Sequence, residues 1–193
     1  IVVLSVNGFG QKPTQFGINI SPGIRLVSSK IDGTGLRSFQ RGYGFNTGFP
    51  VKIWVNEFTA FNTGLDFEFS SFDIIENQIL VSSFRISSLH LPLMFNLHLS
   101  GNFYAMLGSG VSYNLSVTDL NIQNGSQLNG SSNRIQPYIG LGAASLAEKN
   151  FGSIEVGFLG RMQLLNLWKS DFIQFQGYTQ RLISLDLIFR YYF

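Results

Sequence analysis

Apolar and polar residues alternate with period two in eight segments of this chain, and this pattern leaves few folds open. The clearest segment is Leu89 to Ser100. There Leu89, Leu91, Leu93, Phe95, Leu97 and Leu99 alternate with His90, Pro92, Met94, Asn96, His98 and Ser100. Successive strand side chains point to opposite faces, so such a run has one apolar and one polar face. Similar segments cover about 14–28, 43–55, 59–71, 102–116, 134–146 and 153–164, and the eighth spans about 183–193. No apolar run approaches the roughly 18 residues of a membrane helix. If the chain enters lipid, it must do so as a closed barrel, in which every backbone polar group is paired.

The connections alternate in length. Short ones fall at Asn56-Glu57-Phe58, at Gly101-Asn102 and around Glu148 to Gly152, and longer polar ones at about 29–42, 72–86, 117–133 and 165–181. Short turns on one side and long loops on the other predict an all-β fold, an eight-stranded antiparallel up-and-down transmembrane β-barrel of a bacterial outer membrane. An even strand count puts both termini on the periplasmic side. Residues 13–193 form the barrel in this reading, and 1–12 are a signal-peptide remnant or a short periplasmic lead-in.

Alternation alone also fits a soluble lipocalin-like barrel with its apolar face inside. Charge separates the two. Charged residues are 12% of the chain, about half the roughly 25% of soluble proteins. None stands on the apolar faces. The opposite faces carry Arg25, Lys52, Arg161 and Arg190 together with Asp66, Glu68, Glu155 and Asp186. Four cations and four anions on the lumen face predict an internal ion-pair network, because an unpaired buried charge is costly. Eight strands leave an interior that side chains can fill, so a plugged lumen is expected. Pro22, Pro50, Pro92 and Pro137 fall within the segments and predict bulges or strand ends.

Other function classes find little support. The net charge of +2, without basic runs, argues against nucleic-acid binding. There are no cysteines, hence no disulfide framework and no thiolate metal site. His90 and His98 are eight residues apart on one strand, roughly 26 Å, too far for a shared metal. His90 as the base of a lipid-modifying enzyme lacks a nucleophile and an orienting acid, and Asp66 with Glu68 reads as lumen ion pairing rather than an acid–base pair. Gly108 and Gly110 lie in a strand with no following helix, which fails as a phosphate loop. Asn-Gly-Ser at 124–126 and 129–131 matches a glycosylation acceptor but reads as turn chemistry. The expectation is a non-enzymatic protein without cofactor or metal. A narrow small-solute channel and a lipid-modifying enzyme are the alternatives.

Two stretches carry a family resemblance. Leu89 to Tyr113, LHLPLMFNLHLSGNFYAMLGSGVSY, resembles the central hairpin of the PorT-like small outer-membrane barrels of Bacteroidota, which are also similar to OmpA/OmpX-type barrels. The stretch Leu185 to Phe193, LDLIFRYYF, resembles the signal read by the barrel-assembly machinery, carried by Leu187, Phe189, Tyr191 and Phe193. The resemblance implies an outer-membrane location. It also implies lipid, the assembly machinery and other outer-membrane proteins as partners, and a structural or accessory role in an outer-membrane complex. One relative is linked to protein secretion.

Overall fold

Half of each alternating segment is apolar and half polar, so neighbouring strands gain most when all like faces lie on one side of a closed sheet. In the computed structural model, which describes residues 13–31, 37–76, 79–100, 102–120, 132–149, 151–167 and 178–193, they do so. The strands are β1 (Gln15–Ile31), β2 (Arg37–Trp54), β3 (Thr59–Glu76), β4 (Ile79–Ser100), β5 (Phe103–Asp119), β6 (Ile135–Lys149), β7 (Gly152–Gln163) and β8 (Tyr178–Tyr192). Each pairs antiparallel with the next, and β8 pairs with β1 to close the barrel. The expected lead-in at 1–12 and both Asn-Gly-Ser sites lie outside the described residues.

The register fixes the shape. From Gln15 the pairing runs through Lys52, Asn62, Met94, Gly108, Gly140, Arg161 and Ser184, and it returns to β1 at Arg25. One circuit therefore climbs from residue 15 to residue 25, a stagger of ten residues over eight strands. With standard strand rise and spacing this gives a tilt of roughly 40° to the barrel axis.

The strands run further than the alternation suggested at the long-loop end. Expected loop residues such as 72–76, 79–86 and 117–119 are strand. There the sense of the alternation reverses. In Ser83-Phe84-Arg85-Ile86-Ser87, Phe84 and Ile86 point inward and are buried, while Arg85 is exposed. Val27, Phe72, Val117 and Leu182 also point inward, and with Leu167 they form a buried apolar cluster inside the barrel mouth. On β5 this requires a bulge. Ser87 pairs with Ser116 and Ser88 with Asn114, so Leu115 is an extra residue that re-aims Val117 into the cluster.

The prolines correct a second expectation. Register shifts occur between Ile74 and Ile75, between Ser87 and Ser88 and between His98 and Ser100, away from every proline. Pairing of β1 with β8 skips Ser21 and Pro22 yet resumes unshifted, from Ile20↔Phe189 to Gly23↔Asp186. Pro50 and Pro92 sit in equivalent breaks, between Phe16↔Val51 and Asn19↔Gly48 and between Asn62↔Met94 and Asp66↔His90. Pro137 precedes the first pair of the β6–β7 ladder, at a strand end as expected. A missing N–H removes one bond, but the closed sheet fixes the register on both sides, so the ladder skips rather than slips. Gly64 pairs with Pro50 and adopts φ 142°, which a side chain would strain.

The tight turns use local chemistry. Between β2 and β3, Asn56 Oδ1 accepts from the Phe58 and Thr59 amides at 2.9 Å each.

Candidate functional site: the charged lumen

Tilt and stagger bring lumen side chains from distant strands to common heights. Arg25 on β1, Glu68 on β3, Arg161 on β7 and Asp186 on β8 form an alternating ring. Arg25 Nε lies 2.8 Å from Glu68 Oε1, and Arg25 Nη1 lies 2.7 Å from Asp186 Oδ1. Arg161 Nη2 lies 2.8 Å from Glu68 Oε2 and 2.7 Å from Asp186 Oδ2. Ser70 Oγ donates to Glu68 Oε1 at 2.5 Å. Two cations thus share two anions, and each carboxylate bridges both guanidinium groups. Gly44 makes this possible: a β-carbon there would run into the Arg25 guanidinium.

His90 completes the ring. Arg161 Nη1 donates to its Nδ1 at 2.9 Å, and its Nε2 lies 3.1 Å from Glu68 Oε2. A guanidinium has no acceptor, so Nδ1 takes the acceptor role and the ring proton sits on Nε2, facing the carboxylate. Tyr138 packs beside His90 and under Arg161, with centroid distances of 5.6 and 5.7 Å. The space left among Glu68, His90, Tyr138 and Arg161 is about 10 Å³, which admits no substrate. The acceptor nitrogen of His90 is therefore taken by Arg161, and its other nitrogen stands beside the Glu68 carboxylate without a hydrogen bond among the described residues. His98, on the same strand, instead packs between Trp54 and Tyr104 at 4.9 and 5.0 Å.

A second cluster lies nearer the short turns. Glu155 Oε2 meets Lys52 Nζ at 2.8 Å, and Glu155 Oε1 meets Arg190 Nη1 at 2.7 Å. The Lys52 ammonium also faces the rings of Tyr192, Tyr104 and Trp54 at 4.6, 5.0 and 5.7 Å. Aromatic faces attract a desolvated cation, so this cage supports a lysine that is completely buried. Asp66, the eighth expected lumen charge, is half-buried on β3 and accepts from Asn19 Nδ2 at 3.3 Å. Of the residues expected to carry an assembly signal, Phe189, Tyr191 and Phe193 are exposed on the outer wall and Leu187 is half-buried there, while Tyr191 Oη donates to the Phe151 carbonyl at 2.6 Å.

The mouth at the long-loop end is cross-linked. The Leu167 amide donates to Gln180 O at 2.7 Å and its carbonyl accepts from Asn133 N at 3.0 Å. Asn133 Nδ2 and Gln136 Nε2 both donate to Asn166 O, at 2.7 and 3.0 Å. The sequence reading missed this cluster because its apolar residues stand on the face that is polar lower down. The local signal was the reversed alternation of 83–87. The tyrosines against the charges were missed as partners, since strand parity gives a face and not a neighbour.

The outer wall is apolar: Phe49, Leu141, Phe158, Leu185 and Tyr43 are among its exposed residues, Tyr43 at 79%. A charged interior under an apolar wall is the inverse of a water-soluble barrel, and it defines the class as a small eight-stranded barrel of the outer-membrane type. Among solved structures the chain is similar to Neisserial surface protein A, with a TM-score of 0.54 and 11% identity over 94% of this chain and 100% of that one. It also aligns with Ail, the attachment invasion locus protein of Yersinia pestis, at a TM-score of 0.40 and 13% identity over 92% of this chain and 98% of that one. The likeness to Neisserial surface protein A is one of fold alone. No family model and no curated protein matches the chain.

Proposed function

We propose that this protein is an occluded β-barrel of the bacterial outer membrane, a structural or accessory component of an outer-membrane complex rather than a pore or an enzyme. Both termini then face the periplasm, and the long loops face outward. The carrying observation is the layered interior. Two ion-pair clusters and an apolar cluster lie in series along the lumen, each built from buried side chains of opposite strands. His90 Nδ1, the nitrogen whose lone pair a general base would use, already accepts from Arg161, which argues against a general base there. The PorT-like hairpin at Leu89 to Tyr113 supports membership of that family and a link to secretion. Leu187, Phe189, Tyr191 and Phe193 serve as the assembly signal in this reading.

Planar-bilayer recording tests the occlusion. Purified barrel should add no stable nanosiemens-scale openings, and regular unitary steps would refute it. Co-purification from native membranes in mild detergent tests the accessory role, which predicts a stoichiometric outer-membrane partner.

A further inference from the structure

Four exposed arginines of the long-loop rim form a level belt. Arg41, Arg85 and Arg181 point away from the lumen, since their neighbours Gln40, Gly42, Phe84, Ile86, Gln180 and Leu182 are buried inside. Arg134 is placed on the same outer side by its Nη1, which donates to the outward-facing Tyr113 hydroxyl at 3.3 Å. All four are exposed.

The register sets their heights. Along the strands toward the long loops, Arg41 lies eleven residues beyond Lys52, Arg85 nine beyond Met94, Arg134 six beyond Gly140, and Arg181 three beyond Ser184. Those four reference residues belong to one pairing row. The row climbs ten residues over eight strands, hence two and a half between each of these strands and the next. The climb offsets the shortening count, so the four arginines agree in height to within about one residue, roughly 2.5 Å along the axis of a barrel tilted this way. They stand on β2, β4, β8 and the lead into β6, about 13 Å apart along the wall once ordinary strand spacing is combined with the tilt.

The belt sits just above the lipid-facing band. Tyr43 is two residues below Arg41, Ile183 two below Arg181, and Ile135 adjoins Arg134. That is the level of lipid headgroups. The opposite rim differs, with Glu57 and Glu148 exposed near the short turns. Among the described residues, Asp73 lies near Arg41 and Arg85 in the register and accepts from Ser83 Oγ.

We propose that this belt binds the phosphate groups of an anionic, phosphorylated glycolipid in the leaflet on the long-loop side. Arginine suits the task because its planar fork matches two phosphate oxygens and keeps its charge. The even spacing around the whole circumference favours lipid, because a protein partner would meet only one flank. The proposal rests on the outer-membrane reading, and the test separates the two.

Wild type and the R41Q/R85Q/R134Q/R181Q variant are refolded into zwitterionic bicelles, and insertion is scored by heat-modifiable electrophoretic mobility. Each is titrated with bisphosphorylated lipid A or with the same lipid stripped of phosphate, and retained lipid is counted by native mass spectrometry. Wild type should retain the phosphorylated form preferentially, and each arginine removed should weaken that retention about fivefold. The paired variants R41Q/R134Q and R85Q/R181Q give the same readout should the quadruple variant fail to insert. Inserted wild type that holds both lipids equally, or variants that match wild type, overturn the belt while leaving the barrel standing. Wild type that never inserts overturns the membrane reading and the belt with it.

Discussion

Arg25 Nη1 lies 2.7 Å from Asp186 Oδ1, and the contact ties β1 to β8 across the strand pair that closes the barrel. Asp186 also holds Arg161, so one carboxylate serves two buried guanidinium groups. Asp186→Asn keeps the shape but leaves both arginines sharing Glu68 alone. Removing one partner of a buried ion pair costs about 3–5 kcal/mol, and that loss is expected in urea unfolding from phospholipid vesicles. Glu57→Gln, at an exposed turn position, should stay within about 0.5 kcal/mol. Comparable losses for the two would refute the ring as a stabilising device.

Glu155 and Lys52 should not be equivalent. Lys52→Met leaves the Arg190–Glu155 pair intact and puts a methionine stem among Trp54, Tyr104 and Tyr192. Glu155→Gln leaves two buried cations facing each other. The same unfolding assay should give a loss of roughly 3–5 kcal/mol for Glu155→Gln and less than half of that for Lys52→Met. The reverse order would show that the aromatic cage, and not the carboxylate, holds the cluster.

Gly110 gives way to a neighbour. A β-carbon there would run into the ring and hydroxyl of Tyr138, which in turn backs Arg161 and His90. Gly110→Val should cost about 1–3 kcal/mol through overpacking. Tyr138→Ala should absorb most of that, making the double variant less destabilised than the two single effects added together. Simple additivity would place the clash elsewhere.

Leu167 anchors the mouth by its side chain and by both backbone groups. Leu167→Ala should cost roughly 2–5 kcal/mol within this layer through the cavity it leaves. The measurable effect is faster cleavage of the loop side by protease added outside reconstituted vesicles. Unchanged cleavage would mean that the rest of the cluster closes the mouth unaided.

What could be read from the chain followed from periodicity and charge. Leu89 to Ser100 had to be a two-faced strand, and the absence of charge on the leucine face decided which side met lipid. Those two facts identified the barrel and assigned Arg25, Lys52, Asp66, Glu68, Glu155, Arg161, Asp186 and Arg190 to its lumen face. The strand extensions escaped because the rule itself changes there. Once the wall rises past the apolar band, water lies outside, and Phe84 and Ile86 belong within.

Which charges met was decided only by closure. The alternation along each strand says in or out, but not which residue lies opposite. The ten-residue stagger brings Arg25 level with Glu68, Arg161 and Asp186, and gathers Lys52, Glu155 and Arg190 into a separate group. The same stagger levels the four rim arginines, at positions 41, 85, 134 and 181. Local sequence determined the faces, because a side chain's direction depends only on its own strand. Neighbours across the lumen depend on all eight strands at once, and only the closed structure specifies them.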